Sequence, residues 1–199
     1  MKTQITILLL IICATMNAQN KTFLSAGEEQ AFIISPEGNY FNVYIQTRSS
    51  DPIYNIGYLI MEKFKYEKFI TELKEAKETY LSYVEIAKEN KITSYLRNIS
   101  SSSFKYRVGF QATPKSDLIL SKSSDLNFNF FVAELKSINQ IGYILSIETD
   151  RLNTSNKFID SKPHYIWLKD IAEIDDFIKV LEELPKTLDE KKEIDSLFE

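Results

Sequence analysis

Cysteine occurs once in this chain, at Cys13, and histidine once, at His164. Each scarcity removes a class of chemistry. A lone cysteine closes no intrachain disulfide, so stability has to come from a packed core. If Cys13 leaves with an N-terminal leader, cysteine nucleophiles and thiolate zinc sites are excluded. A Ser-His-Asp system or a histidine metal site would have to rest on His164. That residue follows Pro163 at the start of an expected strand and reads as a strand-edge histidine. Glycine is also scarce, with five in the chain. No P-loop, dinucleotide fingerprint, GxSxG or HExxH pattern is present. An excess of positive charge is missing too: 24 Lys and Arg face 28 Asp and Glu, a formal net charge of −4. Nucleic-acid binding needs a concentrated basic patch. The nearest cluster, SFKYRVGF, offers only Lys105 and Arg107 on one strand face.

The first residues, MKTQITILLLIICATMNAQN, have the layout of a secretory signal. Lys2 supplies the positive start, Ile5 to Ala14 the apolar core, and Ala18 the small residue before the polar switch at Gln19. The apolar run is about half the roughly 20 residues that a membrane span needs. Cleavage after Ala18 is expected, which leaves residues 19–199 as a single domain and places it in the periplasm or the medium. In Leu10-Ile11-Ile12-Cys13 the bulky Ile12 stands where a lipoprotein signal wants a small residue, so Cys13 reads as part of the apolar core. The Asn-x-Ser/Thr triplets at Asn20, Asn98 and Asn153 read as chance.

Hydrophobic residues make up 44% of the chain and aromatics 13%, enough for a sizeable core. Residues 21–30 read as a polar lead-in. AFIIS (31–35) reads as a strand stopped by the turn PEGN. YFNVYIQTR (40–48) alternates, with Phe41, Val43, Ile45 and Thr47 on one face and Tyr40, Asn42, Tyr44 and Gln46 on the other. YNIGYLIM (54–61) is the next strand. The period then changes: Phe69, Leu73, Ala76, Tyr80, Val84 and Ala87 form one stripe of an amphipathic helix over about 66–90. Its other face, with Glu72, Lys74, Lys77 and Glu85, reads as solvated. ITSYLRNI (92–99) fits a strand or a continuation of the helix. FKYRVGFQA, DLNFNFFVAEL, GYILSIET and HYIWLK read as strands, the last two joined by a long polar loop. A final helix carries Ile171, Ile174, Phe177, Ile178, Leu181 and Leu184, and Pro185 is expected to end it. The charged tail 186–199 is expected to form at most a short terminal helix.

A repeat is expected in this order of elements. YLIM, seven residues and FITELKE (58–75) match YIWL, eight residues and FIKVLEE (165–183). The fold class is therefore α+β, with antiparallel meanders each followed by a helix. The two similar halves would be about 28–90 and 100–185, packed as one globular body. This layout resembles the Whirly and Pur-alpha class of single-stranded nucleic-acid binders, which duplicate a strands-plus-helix unit. The resemblance is one of topology and brings no site residue with it. The acidic balance speaks against the nucleic-acid partner it would imply.

Candidate sites are few. Asp170, Glu173, Asp175 and Asp176 open the final helix, where acids complement its positive end. Asp150, Asn153 and Asp160 lack a calcium-loop spacing. Neither a metal nor a cofactor is expected, and no catalytic residue is nominated. The strand aromatics Tyr40, Tyr44, Tyr54, Tyr58, Tyr106, Phe128, Phe130, Tyr143, Tyr165 and Trp167 divide between core and any open sheet face. On such a face they would form a platform for a partner or a glycan, with Tyr44, Tyr106 and Trp167 as candidate binding residues. The reading that follows is an exported, non-enzymatic protein that binds another exported protein or itself, for instance as an inhibitor. The alternatives are a small-ligand carrier and an Asp/Glu-dependent hydrolase.

Overall fold

The computed structural model describes residues 21–26, 29–37, 40–113, 116–135 and 140–196, with side chains over 42–113, 116–134 and 140–186. The expected signal sequence at 1–18 lies outside the described residues. The elements run β1 (Lys21–Ala26), β2 (Glu29–Glu37), β3 (Tyr40–Ser49), β4 (Ile56–Glu62), α1 (Lys63–Glu89), β5 (Tyr95–Ser101), β6 (Arg107–Gln111) and β7 (Ile119–Leu120). They continue as β8 (Leu126–Leu135), β9 (Gln140–Thr149), β10 (Leu152–Asn153), β11 (Asp160–Ser161), β12 (His164–Leu168) and α2 (Ile171–Ser196).

Ten of the strands make one antiparallel sheet in the order β5-β8-β9-β12-β3-β4-β6-β7, with β2 on β3 and β1 on β2. The strand β3 is shared by two neighbours along one edge. Its residues Asn42–Ile45 pair with β2, and Arg48 and Ser49 pair with β12. The YLIM and YIWL stretches thus lie in β4 and β12, on opposite sides of β3. The architecture is α+β, one globular body of a large sheet and two helices.

Period-two alternation decides the core. Val43, Ile45, Leu59, Met61, Val108, Phe110, Leu126, Phe128, Phe130 and Val132 are buried on one sheet face. The stripe Phe69, Leu73, Ala76, Tyr80 and Ala87 of α1 packs onto them, with Val84 partly buried beside it. Ile174, Phe177, Ile178, Leu181 and Leu184 of α2 complete the cluster. Each fully buried Val, Leu, Ile, Phe or Met among them contributes roughly 1.5–3 kcal/mol through burial.

Several expectations change. The lead-in at 21–30 is β1 and the start of β2, paired from Lys21↔Ile34 to Ala26↔Glu29. The run TFL is too short to show a period, and pairing with β2 supplies what the pattern does not. ITSYLRNI is resolved as the edge strand β5, because the chain leaves α1 at Asn90. There Lys91 takes a left-handed φ of 52°, and the amide of Ile92 donates back to the Ala87 carbonyl. The long loop before β12 contains the β10–β11 hairpin. The charged face of α1 is only partly solvated. Lys74 pairs with Glu182 at 2.5 Å and Lys77 with Asp175 at 2.6 Å, joining the two helices. Glu72 holds the loop before β6 by accepting from the Ser103 amide and from the hydroxyls of Ser102 and Ser103.

Pro185 does not end α2, which runs on to Ser196 and takes up most of the charged tail. A proline inside a helix removes the hydrogen bond to the carbonyl four residues back, here Leu181. That carbonyl accepts instead from the Tyr66 hydroxyl of α1. Burial and the nearby Glu182 charge push the Tyr66 phenol well above its ordinary pKa, so it remains a donor. Tyr66→Phe should therefore strand a buried carbonyl and lower unfolding free energy by about 1–3 kcal/mol in urea titration. Adding Pro185→Ala, which restores an amide donor, should recover part of that loss. An equal loss with and without the second change would refute the role of the tyrosine.

Candidate binding surface on the helix-free sheet face

Both helices pack on the face that carries Val43, Phe128 and their neighbours. The alternate residues of each strand project to the other side, where no helix lies among the described residues. Pairing aligns them into rows. One row runs Asn127, Glu148, Tyr165 and Arg48 across β8, β9, β12 and β3. The next runs Asn129, Ser146 and Trp167. Beyond it, Leu96 of β5 aligns with Phe131 and Ile144.

The rows place an aromatic series beside a polar one. Tyr165 and Trp167 stack with centroids 4.7 Å apart and an interplanar angle of 26°. Phe131 continues the series 6.4 Å from Trp167. Trp167 remains 42% exposed and the flanking Leu96 64%. On the polar side, Asn98 donates to Asn129 at 3.1 Å, and the Ser101 hydroxyl donates to Asn127 at 2.6 Å. Asn129 in turn reaches the half-buried Glu148 at 3.5 Å. Burial raises the Glu148 pKa, the Asn129 amide opposes the shift, and the Asp150 charge adds to it, for a net upward displacement. The buried Ser146 hydroxyl, in register between Asn129 and Trp167, has no hydrogen-bond partner among the described residues.

At the other flank of this face, where β4 passes into α1, Asn42, Ile60, Glu62, Lys65, Arg107 and Ser123 line a cleft of about 360 Å³. Five of these six side chains are polar or charged.

The candidate residues separate. Trp167 lies on this face and is exposed; Tyr44 lies on it half-buried, with Tyr58 two strand positions away in register terms on β4. Tyr106 does not belong to it. It is 1% exposed in the core, with its ring 6.4 Å from Phe69. Its hydroxyl is 3.2 Å from that of Ser102, and burial pushes its pKa up to about 12. Phe128 and Phe130 are core residues. Tyr54 packs on Phe110 at 5.0 Å, and Tyr143 lies on the helix side, where Lys88 sits over its ring at 5.5 Å. The Tyr40 side chain lies outside the described residues.

His164 opens β12 and is fully buried there. Its Nδ1 lies 3.0 Å from Thr47 Oγ1 and its Nε2 lies 3.1 Å from Ser161 Oγ. Burial, only partly offset by the Asp51 charge, lowers its pKa to about 4. The Ser161–His164–Thr47 cluster superficially suggests nucleophilic chemistry, yet Ser161 and His164 are both 0% exposed, so no substrate reaches them. Asp170 caps α2 by accepting from the Glu173 amide at 2.9 Å, and Glu173 accepts from the Lys169 amide at 2.7 Å. Asp160 pairs with Arg151. Among the described residues no three His, Cys, Asp or Glu side chains cluster closely enough to hold a metal ion.

The sequence reading missed Phe131, because it sits in the run FNFFVAEL with apolar residues on both faces. It also missed the cleft, whose walls come together only through the pairing of β4 with β6. Compared with models of known families, with curated proteins and with solved structures, the chain matches none, and the resemblance to the Whirly and Pur-alpha class gains no support from them.

Proposed function

We propose that this is an exported, non-enzymatic binding protein that holds another exported protein, or a second copy of itself, against the helix-free face of its sheet. The observation that carries the reading is the series Phe131, Trp167 and Tyr165, with Leu96 exposed beside it. A row of rings left on a sheet face has the composition of an interface centre, and the Asn and Glu rows next to it have that of a polar rim. We also read the chain as a duplicated unit. In support, β1 to β4 pair successively before α1, and β5, β8, β9 and β12 pair successively before α2.

The reading is testable with the chain's single tryptophan, which is Trp167. Partners captured from the exported fraction of the host should shift Trp167 emission to the blue when titrated in. Trp167→Ala should weaken their binding by about 2 kcal/mol or more, while Ile86→Ala, on the solvent side of α1, should leave it intact. Partner binding that ignores Trp167→Ala would place recognition elsewhere. The small-ligand alternative is favoured by one separate observation, the cleft at the start of α1. The hydrolase alternative would need Glu148 to act with a second carboxyl, and its test is loss of a measured activity in Glu148→Gln.

A further inference from the structure

The cleft between β4, β6 and the start of α1 stands apart from the aromatic row. Its volume of about 360 Å³ is within the range of small-molecule sites. Four elements and a loop contribute: Asn42 from β3, Ile60 and Glu62 from β4, Lys65 from α1, Arg107 from β6, and Ser123 from the segment after β7. Register fixes their order. Arg107 lies opposite Ile60, and Asn42 lies opposite Glu62. The cation and the carboxylate are therefore offset by two residues along β4, about 7 Å of strand.

Neither the Arg107 guanidinium nor the Glu62 carboxylate makes an ion pair or a side-chain hydrogen bond among the described residues. Close by, the comparable charges are engaged: Lys105 pairs with Asp125 at 3.0 Å. Lys65 donates to the Lys105 carbonyl at 3.1 Å, which brings its ammonium to the Arg107 side of the cleft and leaves it donors to spare. The lining thus carries two positive charges and one negative charge around the apolar floor of Ile60. From these side chains we propose that the cleft binds a small zwitterion carrying both a carboxylate and an ammonium group, a free amino acid or a dipeptide.

The carboxylate is held by Arg107 and Lys65, and the ammonium by Glu62 with the Asn42 amide oxygen. The offset along β4 anchors the two opposite charges at separate strand positions, so each end of the ligand has its own partner. Glu62 repels a multiply charged anion such as phosphate and so selects for the ammonium. The start of α1 agrees with this arrangement. Its N-cap residue is Glu62, which makes no side-chain cap hydrogen bond and so keeps its carboxylate for a ligand, and Lys65 follows in its first turn. The inference is independent of the macromolecular partner proposed above.

The test is calorimetric titration of the protein, purified after expression of the full chain, with the common amino acids and a set of dipeptides. Acetate, methylammonium and inorganic phosphate serve as separate probes. At least one amino acid or dipeptide should bind saturably, with a larger affinity than acetate, methylammonium or phosphate. Arg107→Gln and Glu62→Gln should each weaken it about tenfold or more, with the thermal midpoint of the ligand-free protein unchanged. Absence of binding by every amino acid and dipeptide at millimolar concentration would overturn the proposal. So would binding of acetate or phosphate as tight as that of the zwitterion, or a ligand indifferent to Glu62→Gln. In both of those cases the cleft would be a simple anion site. Trp167→Ala should leave zwitterion binding intact, which separates a failure here from a failure of the partner reading.

Discussion

Phe69→Ala is expected to cost about 3–5 kcal/mol of folding stability, more than the loss of the Tyr66 hydroxyl. Phe69 is fully buried on α1. Its ring stacks on Phe128 of β8 at 6.1 Å and meets the edge of Tyr106 at 6.4 Å. It therefore joins the helix to β8, towards one end of the sheet, and to the residue that leads into β6, towards the other. Removing the ring loses its burial and leaves a cavity that three separate elements would have to collapse to fill. Denaturant titration should show a lower midpoint with an unchanged slope, and Phe69→Leu should restore much of the loss. A cost near 1 kcal/mol would mean that the helix and the sheet repack freely, and that this contact does not hold them in place.

The second large effect is acid sensitivity set by one buried ring. His164 packs against Gly57 so closely that a Cβ there would lie 2.6 Å from Nδ1 and 2.7 Å from Cε1. Phe110 covers another side, with its centroid 6.0 Å away. In the folded chain the pKa of His164 is about 4, against an ordinary 6.5. Below pH 6.5 the unfolded chain takes up a proton that the folded chain refuses. Stability therefore falls as pH drops from about 6.5 to about 4, by roughly 3 kcal/mol in total and about 2 kcal/mol by pH 5. Above pH 6.5 the group contributes no slope.

Asp51, which opens the turn beside His164, acts in a different window. Burial would raise its pKa, but hydrogen bonds from the amides of Tyr54, Ile53 and Lys162 outweigh that and lower it. The stability it contributes is lost only as pH falls through its own lowered value. Comparing urea midpoints at pH 7 and pH 5 thus leaves Asp51 out of the difference, while Glu148, whose pKa is raised, works in the opposite direction to the histidine as pH falls. His164→Gln, which cannot charge, should remove most of the difference between the two pH values. An unchanged difference in that variant would assign the acid sensitivity to other groups.

How far the sequence could be read follows from the range of the signals involved. Alternation in YFNVYIQTR correctly separates Val43, Ile45 and Thr47, which are buried, from Asn42, Tyr44 and Gln46, which are not. The stripe from Phe69 to Ala87 marks the buried side of α1 within a few residues of its ends. The cap at Asp170 and Glu173 is legible because its hydrogen bonds span three and four residues. Pro185 misleads because the partner that tolerates it, Tyr66, lies 115 residues away from the carbonyl it satisfies. Tyr106 and Trp167 cannot be told apart from the chain alone. Both are aromatics on alternating strands, and only the side on which the helices pack sends one into the core and the other into solvent.

By itself, then, the sequence determined the α+β class, the two-faced pattern of its clearest strands, the buried stripe of each helix, and the lack of an intrachain disulfide, a glycine-rich phosphate loop or a multi-histidine site. These are properties of local period and composition, and neighbouring residues suffice to set them. Tertiary structure alone decided that β3 is shared between β2 and β12. It also buried His164 against Gly57, aligned Phe131 with Trp167, and brought Arg107 to Glu62 across the β4–β6 pairing. Each of these depends on strand register between segments tens of residues apart. Register is fixed by the burial of whole faces at once, so no local stretch of the chain encodes it.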